Sequence, residues 1–211
     1  MFKNIIFDLG GVVVDYAPKV FLVDHFMNEK LENTLFDITF GSEEWKQLDA
    51  GLITREESEK IMREKAAAIG RKYEVDVILN DWMDMLHTKD DTVHLMRRLK
   101  KNGYRIFYLS NIPRDVLKML SARSFFKLFD GGIASCQIKL NKPDPRAFGV
   151  LLKYYKLDPA ECIFTDDNTD NVAAASALGM NAVHFKTSKQ LAQSLAVSGI
   201  NLAKKTANVQ K

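Results

Sequence analysis

The chain has 211 residues, of which 46% are hydrophobic and 27% charged, as expected for a globular protein with one large domain or one domain carrying a smaller insertion. The net charge of +3 is small and the basic residues are scattered, so we expect no nucleic-acid partner. The apolar N-terminal run is short and contains Asp8, and the two cysteines lack a metal-binding spacing, so we expect a cytoplasmic protein with no membrane span, signal peptide or disulfide.

The first predicted element is a strand, and a long helical region follows it. Residues 4–9 form a brief apolar run that predicts a buried strand. Residues 20–36 are apolar at helical spacing, which predicts one helix. Residues 54–70 begin with Thr54 and Glu57, the pattern of a capping box, and end at Gly70. These features predict an α-helical module over residues 16–89, inserted after the first strand.

Strands and helices alternate from residue 90 onward. Predicted strands cover 104–110, 131–135, 161–167 and 181–185, and predicted helices cover 90–103, 113–123, 144–156 and 170–180. The strands are short, apolar and not strictly alternating, which is typical of a parallel sheet covered on both faces. We therefore predict an α/β core formed by residues 1–15 and 90–200, with residues 201–211 as a flexible polar tail.

Polar side chains follow the carboxyl ends of these strands, where ligands bind in an open parallel sheet. They are Asp8, Ser110, Asn111, Lys142, Asp166 and Asp167. Taken singly, each can be a helix cap or a surface residue. Taken together, the acids repel one another and a cation relieves that repulsion, and oxygen ligands favour Mg²⁺. A lysine and a hydroxyl beside such a site predict that it binds a phosphate.

Four motifs in order, DLGGVVVD, LSN, NKPDP and FTDDNTDN, resemble those of the haloacid dehalogenase (HAD) superfamily. The resemblance covers residues 1–15 and about 90–190 and implies a Rossmann-like parallel sheet flanked by helices, with a helical cap inserted after the first strand. It implies a Mg²⁺-dependent phosphatase that acts on a small-molecule phosphate ester and is a monomer or weak homo-oligomer.

The resemblance also implies roles for individual residues. Asp8 would be the nucleophile that forms an aspartyl-phosphate, with Ser110 and Lys142 as the other catalytic residues. Ser110, the main chain of Asn111 and Lys142 would bind the phosphoryl group. The implied Mg²⁺ ligands are Asp8, the main-chain carbonyl of Gly10, Asp166 and Asp167. Asp170 or Asn171 completes the fourth motif, and we expect Asp170 to be either a helix N-cap or part of the site.

One position departs from the family pattern. Most family phosphatases carry an acid two residues after the nucleophile, which protonates the leaving group and activates water, whereas this chain has Gly10. Either the leaving oxygen is itself acidic, or another side chain, for instance from the cap, replaces the acid, or turnover is slow. We favour an acidic leaving oxygen, because the first and fourth motifs are similar to those of bacterial phosphatases that cleave α-D-glucose 1-phosphate.

Other functions remain open. A 2-haloacid dehalogenase also uses an aspartate nucleophile but lacks the acidic pair of Asp166 and Asp167. A phosphoacceptor receiver domain has its acidic pair first in the chain, which is the opposite order. A catalytically weak regulatory or binding protein of the same family would be consistent with Gly10. In the helical module, Trp45 and Trp82 either line a sugar-binding face or pack between cap and core.

Overall fold

A computed structural model describes residues 1–202, and within this range five parallel strands form one sheet. The strands are β1 (Asn4–Phe7), β2 (Arg105–Ser110), β3 (Gly131–Ala134), β4 (Cys162–Asp166) and β5 (Asn181–His184). Their order is β3-β2-β1-β4-β5, so that β1 lies at the centre between β2 and β4. All five predicted strands and the predicted α/β fold are confirmed. Most of the tail expected over 201–211 falls outside the described residues.

The central strand β1 is covered on both faces, which explains why its sequence does not alternate. Ile5 and Phe7 belong to one hydrophobic cluster, whereas Ile6 belongs to a second cluster with Phe107 and Phe164. All four residues of β1 are buried. A strand with two apolar faces gives a continuous apolar run in the sequence.

Between β1 and β2 the chain forms a helical cap. Its helices are α1 (Pro18–Phe26), α2 (Glu29–Ile38), α3 (Glu43–Asp49), α4 (Arg55–Ala68) and α5 (Lys72–Asp81), followed by a 3-10 helix over Trp82–Met85. The predicted capping box of α4 is confirmed, because Thr54 Oγ1 accepts from Glu57 N at 3.1 Å and Glu57 Oε2 accepts from Thr54 N at 2.8 Å. The exact extent of the cap as a separate unit, given above as residues 16–89, remains a prediction.

The prediction of one helix over residues 20–36 is wrong. Met27 adopts a left-handed conformation with φ of 47° and ends α1. The side chain of Asn28 then caps α2 by accepting from Leu31 N at 3.0 Å. Apolar periodicity does not register so short a break, whereas the capping preference of asparagine does indicate a new helix start.

The remaining helices cover the sheet. They are α6 (Asp90–Lys101), α7 (Arg114–Ser121), the short α8 (Ser135–Ile138), α9 (Pro145–Tyr155), α10 (Thr169–Ala177) and α11 (Ser188–Val197). Buried residues of α6, α7 and α11 share the cluster of Ile5 and Phe7, and those of α9 and α10 share the cluster of Ile6. The helix α11 was not predicted from the sequence. Within residues 1–202 we find no helix of sufficient length and apolarity to span a bilayer.

Polar contacts fix the cap on the core near the carboxyl edge of the sheet. Arg55 of α4 forms an ion pair with Asp115 of α7. The Nδ2 atom of Asn141 donates to the main-chain oxygen of Lys46 at 2.8 Å. The hydroxyl of Ser135 donates to the main-chain oxygen of Asp49, the last residue of α3. The end of α3 is therefore held at a defined position beside the ends of the strands.

Candidate active site

The predicted site residues meet at one edge of the sheet, beneath the cap. Asp8 directly follows β1, Ser110 ends β2, and Asp166 ends β4, while Lys142 extends from the loop between α8 and α9. A cavity of about 260 Å³ opens at this edge. Of the predicted residues, the following line it: Asp8, Gly10, Ser110, Asn111, Lys142 and Asp167. Asp166 lies behind them and is completely buried.

Lys142 joins two carboxylates. Its Nζ atom lies 3.0 Å from Asp8 Oδ1 and 2.6 Å from Asp166 Oδ2, and only 1% of its side chain is exposed. Burial alone would lower the pKa of Lys142, but the charges of Asp8 and Asp166 outweigh it and raise the pKa above its usual value. The lysine therefore stays positively charged next to Asp8.

Asp8 has the surroundings of a held nucleophile. It is 9% exposed, and its Oδ1 atom accepts a hydrogen bond from Leu9 N at 2.7 Å as well as the contact from Lys142. Burial raises the pKa of Asp8, while the ammonium of Lys142 and a hydrogen bond with Ser110 oppose that rise. One carboxylate oxygen is thus fixed by donors, which orients the group toward the cavity.

The acidic residues at this edge form a cluster whose chemistry fits a magnesium ion. Asp8, Asp166 and Asp167 offer one oxygen each, and these oxygens lie within 4.8 Å of one another. Burial and the charge of Asp166 raise the pKa of Asp167. Oxygen donors alone, with no nitrogen or sulfur, are the set that Mg²⁺ prefers.

Asp166 and Asp167 differ in how their carboxylates are used. Asp166 accepts hydrogen bonds from Lys142 Nζ at 2.6 Å, from Asn168 N at 2.9 Å, and from Asn171 Nδ2 at 3.1 Å. Among residues 1–202, no side chain donates a hydrogen bond to the Asp167 carboxylate. Asp167 is therefore the better placed of the two to bind a cation, and Asp166 positions Lys142.

Asp170 and Asn171 differ in their contacts. The N-cap of α10 is Asn168, whose side chain accepts from Asp170 N at 2.8 Å, so the expectation that Asp170 is the cap is wrong. Asp170 is exposed, whereas Asn171 is buried and donates to both oxygens of Asp166. The Oδ1 atom of Asn171 is buried without a hydrogen-bond partner. Such an oxygen beside the acidic cluster suits a metal-bound water.

Asn111 has a role that the sequence did not reveal. Its Oδ1 atom accepts from Lys142 N at 2.7 Å, and its Nδ2 atom donates to Lys142 O at 2.9 Å. The side chain is thereby occupied in holding the lysine backbone, which leaves the main chain of Asn111 for a ligand. Ser110 is 3% exposed and lines the cavity together with Asp8.

The two glycines of the loop after Asp8, Gly10 and Gly11, serve close packing. A Cβ atom on Gly10 would lie 3.3 Å from the Cβ atom of Tyr16. Gly11 has a φ of +72°, and a Cβ there would lie 2.1 Å from Asp167 Oδ2. Only glycine adopts that backbone conformation readily and leaves room for the Asp167 carboxylate.

Above the polar edge, the cavity wall is mostly apolar. The side chains that form this apolar wall are Val14, Trp45, Trp82, Leu86, Ile112, Pro113, Val116 and Leu120. The rings of Trp45 and Trp82 pack edge to face at 4.9 Å, so both tryptophans serve packing and also line the cavity. The Nε1 atom of Trp82 is buried and has no hydrogen-bond partner.

The cap also brings a carboxyl group to the cavity that sequence reasoning missed. Asp49 lines the cavity together with Asp8 and Tyr16. Burial and the charges of Asp8 and Asp115 raise the pKa of Asp49 to about 8, although Arg55 opposes the rise. Burial also raises the pKa of Tyr16. The sequence WKQLDAG around Asp49 resembles any amphipathic helix end, so it contained no signal for this position.

Comparison with known proteins gives relatives over nearly the whole chain. The sesquiterpene phosphatase astK of Aspergillus oryzae is 31% identical over 189 residues, which cover 89% of this chain and 91% of that protein. The D-ribitol-5-phosphate phosphatase of Bacteroides thetaiotaomicron is 24% identical and covers 93% of this chain and 98% of its own. A HAD family enzyme from the same bacterium, solved as a magnesium complex, has a TM-score of 0.66 at 25% identity, covering 88% of this chain and 93% of its own.

A protein-family model agrees with these relatives and with the motifs. The model described as haloacid dehalogenase-like hydrolase matches residues 2–179, which include all four motifs and the cap. The order of the strands, the cap after β1 and the cluster of carboxylates with Lys142 are consistent with that match. This chain is therefore an enzyme that belongs to the haloacid dehalogenase-like hydrolase family.

Proposed function

We propose that the protein is a Mg²⁺-dependent phosphatase that hydrolyses a small phosphate monoester through an aspartyl-phosphate on Asp8. The position of Lys142 carries this proposal, since its ammonium lies 3.0 Å from the Asp8 carboxylate and faces the cavity. A phosphate ester and a carboxylate repel each other, and a buried cation between them offsets that repulsion. Two phosphatases among the relatives described above support the same reaction class.

The residues around Asp8 account for the first chemical step. The Asp8 carboxylate attacks phosphorus and the ester oxygen leaves, which forms an aspartyl-phosphate. Lys142, the Ser110 hydroxyl and the main chain of Asn111 bind the phosphoryl oxygens and hold them in line with Asp8. Positioning and charge neutralisation of this kind supply most of the catalysis in phosphoryl transfer.

Asp167, Asp8 and the main-chain carbonyl of Gly10 would hold the magnesium ion, with Asp166 as a further candidate ligand. When bound, Mg²⁺ supplies positive charge that neutralises the phosphoryl oxygens. The orphaned Oδ1 atom of Asn171 and the absence of nitrogen or sulfur donors from the acidic cluster support a hydrated Mg²⁺ rather than a softer metal.

Two classes of alcohol are candidates for the leaving group. The resemblance favours a sugar phosphate such as glucose 1-phosphate, whose anomeric oxygen leaves readily, and the ribitol phosphate phosphatase among the relatives also acts on a polyol phosphate. The apolar wall favours instead the phosphate ester of a compact apolar alcohol, and the sesquiterpene phosphatase relative supports this second candidate. A polyol has many hydroxyls, and the apolar wall offers them few hydrogen-bond partners.

A phosphate-release assay tests the proposal. The purified protein is given sugar 1-phosphates, sugar and polyol phosphates, isoprenyl phosphates and p-nitrophenyl phosphate, each with Mg²⁺ and with EDTA. Phosphate release should require Mg²⁺ and should be abolished in Asp8→Asn. Asp170→Asn is the matched control, because Asp170 is an exposed acid of the same motif outside the cluster, and its activity should equal that of the wild type.

The alternatives give different results in the same assay. If no substrate releases phosphate, the proposal fails, and halide release from 2-haloacids then separates a dehalogenase from a regulatory protein. If release persists with EDTA or in Asp8→Asn, the aspartyl-phosphate mechanism is wrong. A preference of the wild type for isoprenyl over sugar phosphates would select the apolar alcohol as the leaving group, and the reverse preference would select the sugar.

A further inference from the structure

A gap in the catalytic machinery lies at Gly10. Without a side chain at this position, Gly10 cannot protonate the leaving oxygen or take a proton from water. Tyr16 occupies the space beside Gly10, with its Cβ atom 3.3 Å from where a Cβ on Gly10 would lie. Such proton transfers speed the hydrolysis of an alkyl phosphate by roughly 10²–10⁴-fold, and a group elsewhere in the cavity can perform them.

We infer that the carboxyl group of Asp49, a residue of the cavity wall, is the general acid and base that replaces the missing acid at Gly10. This inference rests on the proposed phosphatase function. Asp49 is the last residue of α3 in the cap and lines the same cavity as Asp8. Within residues 1–202 no hydrogen bond or ion pair engages its carboxylate.

A partly buried carboxyl group without a partner is unusual, because taking a charged carboxylate out of water is unfavourable unless it is paired. The main chain of Asp49 is nevertheless fixed, since Ser135 Oγ donates to its oxygen and Asn141 holds the same helix through Lys46. Gly51, two residues after Asp49, has a φ of +65° and packs closely against the main chain of Cys136. A Cβ atom added to Gly51 would lie 2.8 Å from the main-chain oxygen of Cys136. The close approach anchors Asp49 over the cavity.

The charges around Asp49 favour its protonated form. The charged and titratable groups that face it are Arg55, Asp8, Asp115, Tyr16 and Cys136. Burial with the negative charges of Asp8 and Asp115 raises its pKa to about 8 against the opposing charge of Arg55. These surroundings favour the protonated carboxyl group, which has a proton to donate.

The two half-reactions balance with one proton. In the first, the Asp8 carboxylate forms a bond to phosphorus, the ester P–O bond breaks, and Asp49 gives its proton to the departing alkoxide. In the second, the Asp49 carboxylate takes a proton from water as that water attacks phosphorus, the bond between phosphorus and Asp8 breaks, and inorganic phosphate leaves. Asp8 and Asp49 are then in their starting states.

Two esters with the same ring distinguish a general acid from a structural residue. The alcohol released from 2-phenylethyl phosphate needs a proton, whereas p-nitrophenolate leaves without one. In Asp49→Asn, kcat/KM for 2-phenylethyl phosphate should fall by roughly 10²–10⁴-fold, and kcat/KM for p-nitrophenyl phosphate by less than about tenfold. The same variant lacks the base that activates water against the aspartyl-phosphate, so hydrolysis of this intermediate should become slow. With p-nitrophenyl phosphate, kcat and KM should therefore fall together, and the first turnover should release a burst of nitrophenolate.

The control is Glu43→Gln. Glu43 is an exposed acid on the same helix, and its loss should leave kcat/KM for both esters unchanged. An equal loss on both esters in Asp49→Asn would overturn the inference, as would a leaving-group effect that appears in Tyr16→Phe instead. The wild type gives an independent readout that does not depend on a variant folding. The ratio of kcat/KM for 2-phenylethyl over p-nitrophenyl phosphate should be constant at low pH and should fall above about pH 8, and a flat ratio would overturn the inference.

Failure of the proposed function is distinguishable from failure of this inference. Asp8→Asn and EDTA must abolish release from both esters if the aspartyl-phosphate mechanism is correct. If the inference about Asp49 is correct, Asp49→Asn must lower kcat/KM for 2-phenylethyl phosphate far more than kcat/KM for p-nitrophenyl phosphate. A chain that passes the first test and fails the second is a phosphatase whose leaving group departs without help from Asp49.

Discussion

The side chain of Asn111 brackets the main chain of Lys142, accepting from its N atom at 2.7 Å and donating to its O atom at 2.9 Å. These two hydrogen bonds tie the end of β2 to the loop that carries Lys142, the proposed catalytic lysine. The lysine side chain is long and has many rotamers, so the position of its backbone determines whether the ammonium reaches both Asp8 and Asp166. The asparagine thus acts on catalysis through Lys142.

Asn111→Ala should therefore lower activity without removing any group that performs chemistry. Losing both hydrogen bonds lets the Lys142 loop shift, and a misplacement of about 1 Å lowers the rate by roughly 10²-fold. Steady-state kinetics with p-nitrophenyl phosphate measure the effect, and kcat/KM should decrease. Asn141→Ala is the control, because Asn141 precedes Lys142 in the same loop but bonds to Lys46 of the cap. Equal losses in the two variants would contradict the assignment.

Lys142→Met should abolish activity and destabilise the fold. The substitution leaves Asp8 and Asp166 close together with no cation, and removing one partner of a buried ion pair costs about 3–5 kcal/mol. Urea denaturation in EDTA measures the free energy of unfolding. Lys142→Arg keeps the charge but cannot place it as a single point between two carboxylates, so it should recover part of the stability and none of the activity. An active Lys142→Met variant would refute the function given to Lys142.

Gly11→Ala should weaken metal binding. Its Cβ would lie 2.1 Å from Asp167 Oδ2 and would displace the carboxylate, so the Mg²⁺ concentration for half-maximal activity should rise. Gly70→Ala is a matched control, because Gly70 has a φ of +70° with no atom within 4 Å of its Cβ position. Both variants lose about 1–2 kcal/mol of stability from the left-handed backbone, but only Gly11→Ala should change the Mg²⁺ titration. The same titration curve in both would mean that Asp167 does not bind the metal.

Much of this site was predictable because the parallel sheet brings distant motifs to one edge. Asp8, Ser110, Lys142 and Asp167 are far apart in sequence, yet each lies at or after the carboxyl end of a predicted strand. The rule that strand ends share an edge places them together. The side chain of Asn111 was not predictable in this way, since whether an amide bonds to a ligand or to a neighbouring loop depends on tertiary geometry.

Residues from the cap were harder to predict for a related reason. The position of Asp49 depends on how α3 lies on the core, which is set by Ser135 of α8 and by Asn141 of the following loop, both far along the chain. No periodicity in the cap sequence encodes those contacts. The break at Met27 was missed for a local reason, because hydrophobic spacing registers faces of helices and not the single left-handed residue that separates two of them.

Arg55 and Asp115 allow a test of the electrostatics at Asp49. The two residues form one ion pair between cap and core, but they act on Asp49 in opposite directions: the charge of Arg55 lowers its pKa and the charge of Asp115 raises it. Asp49 must be protonated to donate its proton, so activity on 2-phenylethyl phosphate should decline as the pH rises through that pKa, about 8 in the wild type. Arg55→Gln should move the decline to higher pH, and Asp115→Asn should move it to lower pH. Each variant breaks the same ion pair, so a loosened cap would shift both profiles alike. The pH dependence of kcat/KM for the two variants decides between these outcomes, and shifts in the same direction would show that the decline does not report on Asp49.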